Sequence, residues 1–283
     1  MVFLRSRIRP EHPSAPILGE ERMGSACVVE DHRLLTAHYL VLGADSVEVE
    51  ALDGRPRQVS RIGLDHDTGL ALLDLDGPPL PTLPAPSGLP IAPGLPVFML
   101  TCVDASQRKG ASGHVTHVGP FEAFWEYMLD RAIMTTVLNP GLAGAALLDV
   151  EGRLRGVVSL GLVAPGRYSL AIPSDLYLER RALLTGEEER EQPGRAWIGF
   201  YPHAYDGGVA VTGVVPGGPA EQAGLAAGDL LLSVEGVPVA TLRELYGEIW
   251  KHHPGERIGF QTLRESAIRV TDVVAGDRYE FFR

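Results

Sequence analysis

The chain has 283 residues, long enough for two domains or one large one, and none of its apolar runs approaches the length of a membrane span. A net charge of −11 argues against non-specific nucleic-acid binding and against docking on anionic membrane. The 33 glycines and 22 prolines favour turn-rich β structure over a helical bundle, and Cys27 and Cys102 form neither a disulfide framework nor a zinc pattern.

Residues 1–23 carry scattered charges, among them Arg5, Arg7 and Arg9, and lack the apolar core of a secretion signal. They read as an N-terminal segment of a cytoplasmic protein; a chain whose signal had been removed would read the same and be periplasmic. From Gly24 onward, short apolar runs alternate with turn residues. Ala26–Val29, Arg33–Thr36, Ser46–Ala51, Gln58–Gly63 and Leu70–Asp74 predict strands, with a hairpin turn at Asp53-Gly54. The proline-rich stretch Gly77–Pro96 reads as a loop inside one domain. Val97–Thr101, Gly113–Val118, Ile133–Val137, Ala145–Asp149 and Leu154–Leu160 continue the series. Many strands without long helices point to a barrel or sandwich. Asp175–Thr185 reads as a helix. The charged, breaker-ended stretch 186–195 is the best domain boundary, dividing residues 24–185 from residues 196–283.

The second part is organised differently. Gly208–Val215, Asp229–Val234, Arg257–Leu263 and Ala267–Val274 read as strands, and Pro219–Gly224 as a short helix. Thr241 with Glu244 forms a capping box at the head of a helix running to about Lys251. Its apolar stripe is Leu242, Leu245 and Ile249.

Together the two parts resemble the HtrA (high-temperature-requirement) family, a trypsin-like protease domain followed by a PDZ domain. Leu35-Thr36-Ala37-His38-Tyr39-Leu40-Val41-Leu42-Gly43-Ala44-Asp45 is similar to that family's L-T-x-x-H-V-V-x-G-A-D. Asp65–Leu73 is similar to D-x-x-T-D-[LI]-A-[LV]-L, and Asn139–Leu148 to N-P-G-N-S-G-G-P-L-[LV]. Trp197-Ile198-Gly199-Phe200 resembles the x-Φ-G-Φ loop of a PDZ domain, and Val214–Leu231 its most recognisable stretch. The resemblance implies a mainly β chain: a trypsin-like double β-barrel, then an α+β PDZ domain.

It also aligns the three catalytic positions of the family with Tyr39, Gly69 and Ala143, where the family has His, Asp and Ser. A serine protease needs a nucleophile, a base and an orienting acid. His38 falls one residue early and Asp67 two residues early, and Leu142–Leu148 holds no Ser, Thr or Cys. The expectation is a chain without catalytic residues, a pseudoprotease and not an enzyme, acting as scaffold or regulator. The alternatives are hydrolysis by a non-standard constellation in the cleft, and a structural subunit whose PDZ domain binds nothing. Gly141 and the Ala143 amide either keep an oxyanion-hole-like nest or persist because the barrel needs the turn.

By the same resemblance, the backbone N–H groups of Ile198, Gly199 and Phe200 hold a peptide's terminal carboxylate, and Leu242 and Tyr246 shape the pocket for its last side chain. The partners implied are protein or peptide C-termini and a possible homotrimer, with no nucleic acid and no membrane insertion. No metal and no cofactor is expected: His114 and His117 face opposite sides of a strand, and His252-His253 suits a helix C-terminus. Phe121, Phe124, Trp125 and Tyr127 lie where the family has a regulatory loop. They read as a local core, a cover over the cleft or a protein contact.

Overall fold

The computed structural model describes residues 1–84, 90–162, 167–190 and 194–283. The chain divides into two compact units, one comprising Met1–Pro120 with Leu129–Glu189, the other Phe121–Met128 with Arg190–Arg283.

The first unit holds two closed barrels. One is built from β1 (Val2–Ile8), β2 (Glu21–Glu30), β3 (Arg33–Ala37), β4 (Ala44–Glu50), β5 (Pro56–Asp65) and β6 (Leu70–Leu75), in the order β1-β2-β3-β6-β5-β4. A four-residue helix α1 (Ala15–Leu18) joins β1 to β2. Period-2 alternation turns Val47 and Val49 of β4 inward, where they pack with Leu4, Ala26, Leu34 and Leu73. Residues 1–23 are therefore corrected: they do not precede the barrel but supply its first strand. Val2, Leu4, Ser6 and Ile8 are buried while Arg7 points outward, and the Ser6 hydroxyl donates to Leu40 O at 2.5 Å.

The second barrel comprises β7 (Pro96–Cys102), β8 (Arg108–Ala123), β9 (Tyr127–Thr135), β10 (Ala145–Leu148), β11 (Leu154–Leu162) and β12 (Tyr168–Pro173), in the order β10-β11-β12-β9-β8-β7. Its interior includes Met99, Ile133, Leu147, Val158 and Ala171. Helix α2 (Ser174–Thr185) follows, close to the predicted range. It is tied down at Glu30, which accepts from the Arg181 guanidinium at 2.9 Å and from the Tyr177 hydroxyl at 2.7 Å. Cys27 and Cys102 are free and buried.

In the second unit, β13 (Phe200–Tyr205) and β14 (Gly208–Val214) form a hairpin. Then come α3 (Pro219–Ala223), β15 (Leu230–Val234), the short β16 (Val237–Pro238), α4 (Leu242–Ile249), β17 (Arg257–Arg264), β18 (Ala267–Val274) and α5 (Arg278–Phe281). The sheet order is β13-β14-β15-β17-β18, with β16 beside β15. The capping box of α4 is formed as the sequence predicts: Glu244 N–H donates to Thr241 Oγ1 at 3.1 Å, and Thr241 N–H to the Glu244 carboxylate at 3.0 Å. Leu245, Tyr246 and Ile249 of α4 join Phe200, Val211, Leu231 and Phe260 in one core. Of the boundary stretch 186–195, residues 191–193 lie outside the described residues.

Candidate functional sites: the barrel loops and the PDZ groove

Two loops carry the functional question, one in each unit. In the first, Tyr39 sits in a single 3₁₀ turn, His38–Leu40, after β3. Its hydroxyl donates to Ser159 O at 2.7 Å, and burial pushes the phenol up to about 12. His38 is buried beside it, with Nδ1 3.2 Å from Gly69 O and its ring edge-on to His66 at 5.4 Å between centroids. Gly69, at φ +76°, closes the turn before β6, and its N–H donates to Asp65 O at 2.9 Å. Asp65 is fully buried and accepts from the Thr68 hydroxyl at 2.8 Å. Asp67 accepts from the Arg180 guanidinium at 3.1 Å.

The loop Asn139–Gly144 is tied down by its own backbone. Gly141 N–H donates to Asn139 Oδ1 at 3.2 Å, Leu142 N–H to Cys102 O at 2.9 Å and Gly144 N–H to Val158 O at 2.8 Å. Ala143 O accepts from Ser25 N–H at 2.7 Å, and the Ala143 methyl packs against the first barrel's core. Gly144 must be glycine: φ is +82°, and a Cβ there would stand 1.9 Å from Ser25 O. These contacts hold the loop as a tight turn, with the Gly141 amide spent on Asn139.

The second loop is built differently. Trp197 and Gly276 bond to each other in both directions, N–H to O at 3.0 and 2.8 Å, and the Trp197 ring packs on Phe281 and Phe282. Ile198 O accepts from Ala220 N–H and Gly199 O from Val215 N–H, both at 2.8 Å. Gly199, at φ +76°, makes the turn this requires; a Cβ would meet the Trp197 ring at 3.0 Å. With the carbonyls held on one side, the amides face the other. All three converge on one carboxylate: Ile198 N–H donates to Glu126 Oε1 at 2.8 Å, and Gly199 and Phe200 N–H donate to Oε2 at 2.7 and 3.3 Å.

Glu126 is at the tip of the β8–β9 hairpin, inside Phe121–Met128 and so inside this second unit. Only 4% of it is exposed, and its backbone has φ +54°. Its N–H donates to the Tyr246 hydroxyl at 3.1 Å, that hydroxyl donates to Ala123 O at 2.5 Å, and the Arg278 guanidinium donates to Glu126 O at 3.1 Å. Leu242, one turn before Tyr246 on α4, is half-buried against the same core as Met128. The structure thus brings Ile198, Gly199, Phe200 and Tyr246 together around Glu126. The aromatic cluster turns out to be the frame of this tip, with Trp125 stacked on Tyr127 at an interplanar angle of 7° and Phe124 edge-on to Trp125. Among the described residues there is no cluster of metal-ligating side chains and no helix long and apolar enough to cross a membrane.

Residues 24–157 match the trypsin-like peptidase domain family, and residues 196–274 match the PDZ domain family. Across both domains the chain is similar to HtrA-type and DegP-like proteases. It is 28% identical over 290 residues to a probable periplasmic serine endoprotease, DegP-like, of Halomonas elongata, covering 95% of this chain and 60% of that protein. A protein of the same name from Pseudomonas putida is 26% identical, with 95% and 60% covered. The chain therefore spans about 60% of the length of these relatives. A solved variant of the HtrA-type protease AlgW with tripeptide superposes with a TM-score of 0.58 at 25% identity, over 97% of this chain and 92% of that one.

Two expectations are corrected here. The residues at positions 39, 69 and 143 suggest that the chain is not an enzyme, but its relatives are named serine endoproteases, which overturns that expectation. A changed triad states which groups are absent from three positions; it does not exclude another constellation. The expected cytoplasmic location is likewise overturned, because the same relatives are named periplasmic.

Proposed function

We propose that this HtrA-like chain handles polypeptides in the periplasm, and that its PDZ groove takes the free C-terminal carboxylate of a polypeptide. Ile198, Gly199 and Phe200 hold the carboxylate through their amides, with Leu242 and Tyr246 beside the last side chain. The observation that carries this reading is the convergence of three backbone N–H groups on a single carboxylate group. Such a nest suits an anion and discriminates a free chain end from an internal amide. The neighbouring β13 is an edge strand, paired with β14 alone in its sheet, so it can accept an extended chain as an added strand. Pro202 removes one donor from that edge.

Peptide-bond cleavage, the activity named for the relatives, would proceed here without a hydroxyl at position 143, since a methyl group cannot attack a carbonyl. Binding of labelled peptides with a free or an amidated C-terminus to the full chain tests the groove. The free acids are expected to bind and the amides to bind at least tenfold more weakly; equal binding of both would remove the carboxylate from the account.

A further inference from the structure

We propose that the hairpin tip Phe121–Met128 is a built-in ligand of the PDZ groove: the Glu126 carboxylate stands where a peptide's terminal carboxylate would stand, and an incoming chain end must displace it. This rests on the C-terminus-binding reading above and adds the resident occupant of that site.

Four observations carry it. Both Glu126 oxygens are used, and all three donors come from the one loop that a PDZ ligand engages. The tip also holds the groove helix, through Tyr246 to Ala123 O and Glu126 N–H, and Met128 packs on the PDZ core as a ligand side chain would. The backbone of Glu126 is in the left-handed region at φ +54°, at the third position of the three-residue loop Phe124–Glu126. Hairpin loops of that length favour glycine there, because a side chain at positive φ is strained. Glutamate in this position forfeits backbone comfort and gains the three amide bonds. Finally, Phe121–Met128 belongs to the same compact unit as the PDZ domain although some 70 residues of sequence separate them.

The mimicry is specific in chemistry. A carboxylate flanked by apolar groups competes with a polypeptide ending in an apolar residue, and not with an internal loop or an amide. Binding of an external chain end is then an exchange of one carboxylate for another, and its apparent affinity is reduced by the fraction of grooves the tip occupies.

The test uses the full chain and two pools of fluorescein-labelled decapeptides, degenerate in sequence with an apolar last residue, one pool as free acids and one as C-terminal amides. Glu126→Gly removes the carboxylate and suits the positive φ, so the hairpin keeps its turn; Glu126→Gln removes the charge and keeps the size. The free-acid pool is expected to bind Glu126→Gly at least tenfold more tightly than wild type, with Glu126→Gln in between and the amide pool binding none of them. Equal affinity of wild type and both variants for the free acids would overturn the built-in ligand and leave the groove reading intact. Equal binding of acids and amides, or no binding to any form, would overturn both. Should Glu126→Gly lose its folded circular-dichroism signal, wild type decides: saturating free-acid peptide is expected to speed hydrogen exchange in residues 121–128 at least tenfold, and unchanged exchange with peptide bound overturns displacement.

Discussion

Two glycine-bearing loops of this molecule use their backbone amides in opposite ways. In Asn139–Gly144 the amides of Gly141, Leu142 and Gly144 go to three separate acceptors: a side chain on the same loop, the last carbonyl of β7 and a carbonyl of β11. In Ile198–Phe200 three consecutive amides share one carboxylate. The difference lies in the carbonyls. Ile198 O and Gly199 O are both bonded inside the PDZ domain, which forces their amide neighbours to face one point. A glycine-rich turn alone therefore does not make an anion site; it becomes one when its carbonyls are committed elsewhere and its amides point the same way.

The sharpest way to break this comparison is Gly144→Ala. The new Cβ would stand 1.9 Å from a backbone oxygen at a φ of +82°. Backbone strain and overpacking each cost on the order of 1–3 kcal/mol, so the first unit is expected to lose about 3 kcal/mol or more, read by urea unfolding. An unchanged midpoint would mean that the loop is not the tight turn its contacts describe. Gly199→Ala is the matching test on the other side. Its Cβ meets side chains and no backbone, the edge of the Trp197 ring at 3.0 Å and Pro219 Cδ at 3.3 Å, so a cost of about 2 kcal/mol is expected in stability. Peptide binding should weaken about thirtyfold, because the turned amide no longer faces the ligand. If binding survives, the convergence of the three amides is not what holds the chain end.

Most of this fold was legible because local pattern and global structure agree. The strands of the two barrels follow their alternation, and Thr241 and Glu244 announced their helix by a capping box that the structure contains. Two elements were hidden for identifiable reasons. β1 places Arg5 and Arg7 on or near the outer face of a strand, so its charges mask the inward row Val2, Leu4, Ser6 and Ile8. β13 carries Pro202, which reads as a strand breaker unless the strand is known to lie at an edge. The candidate PDZ residues came from resemblance, and Glu126 could not have come from either source. Nothing in Phe124-Trp125-Glu126-Tyr127 distinguishes this glutamate from a solvated one. What singles it out is contact with residues more than 70 positions away, which no local period records.

Acid–base behaviour sharpens the comparison further, since only the PDZ loop holds a titrating guest. Burial pushes the Glu126 carboxyl up to about 7, against the pull of the three amides and the Arg278 guanidinium. The phenols of Tyr246 and Tyr201 also face this group, and burial raises both above their ordinary range. Below about 7 the docked group therefore keeps a proton that a released glutamate, at its ordinary value of about 4.5, would give up; above about 7 it is the bare carboxylate that accepts the three amide bonds. Docking is strongest below about 4.5 and weakens as pH rises through about 7. Binding of free-acid peptides to wild type is expected to tighten about tenfold between pH 5.5 and 8, and to stay flat in Glu126→Gln. A flat wild-type profile would show that the tip is not in competition. In the first unit the sign is reversed. Burial works against the charge on Glu30, yet hydrogen bonds from Arg181, Tyr177 and Arg33 hold it down at about 2, so its tie to α2 is present at neutral pH and lost as pH falls toward 2.

The smallest expected effect concerns the loop that first suggests a peptidase. Ala143→Ser restores a hydroxyl at the position where the family's nucleophile falls, at little cost in volume. A serine hydroxyl attacks only when a base takes its proton and an acid orients that base. At the two matching positions the chain presents a phenol bonded to Ser159 O and a glycine. His38, one residue before the first of these positions, has Nδ1 at the Gly69 carbonyl, and Asp67 is paired with Arg180. Peptide turnover by Ala143→Ser is therefore expected to stay within about twofold of the parent chain, because groups that act as a unit contribute little when supplied singly. Measured on a quenched fluorescent peptide library with labelling by a fluorophosphonate as the second readout, a clear rise in both would mean that His38 reaches the new hydroxyl after all. The cleft would then be a peptidase site lacking one atom, and the difference between the two loops would narrow to the side chain at position 143.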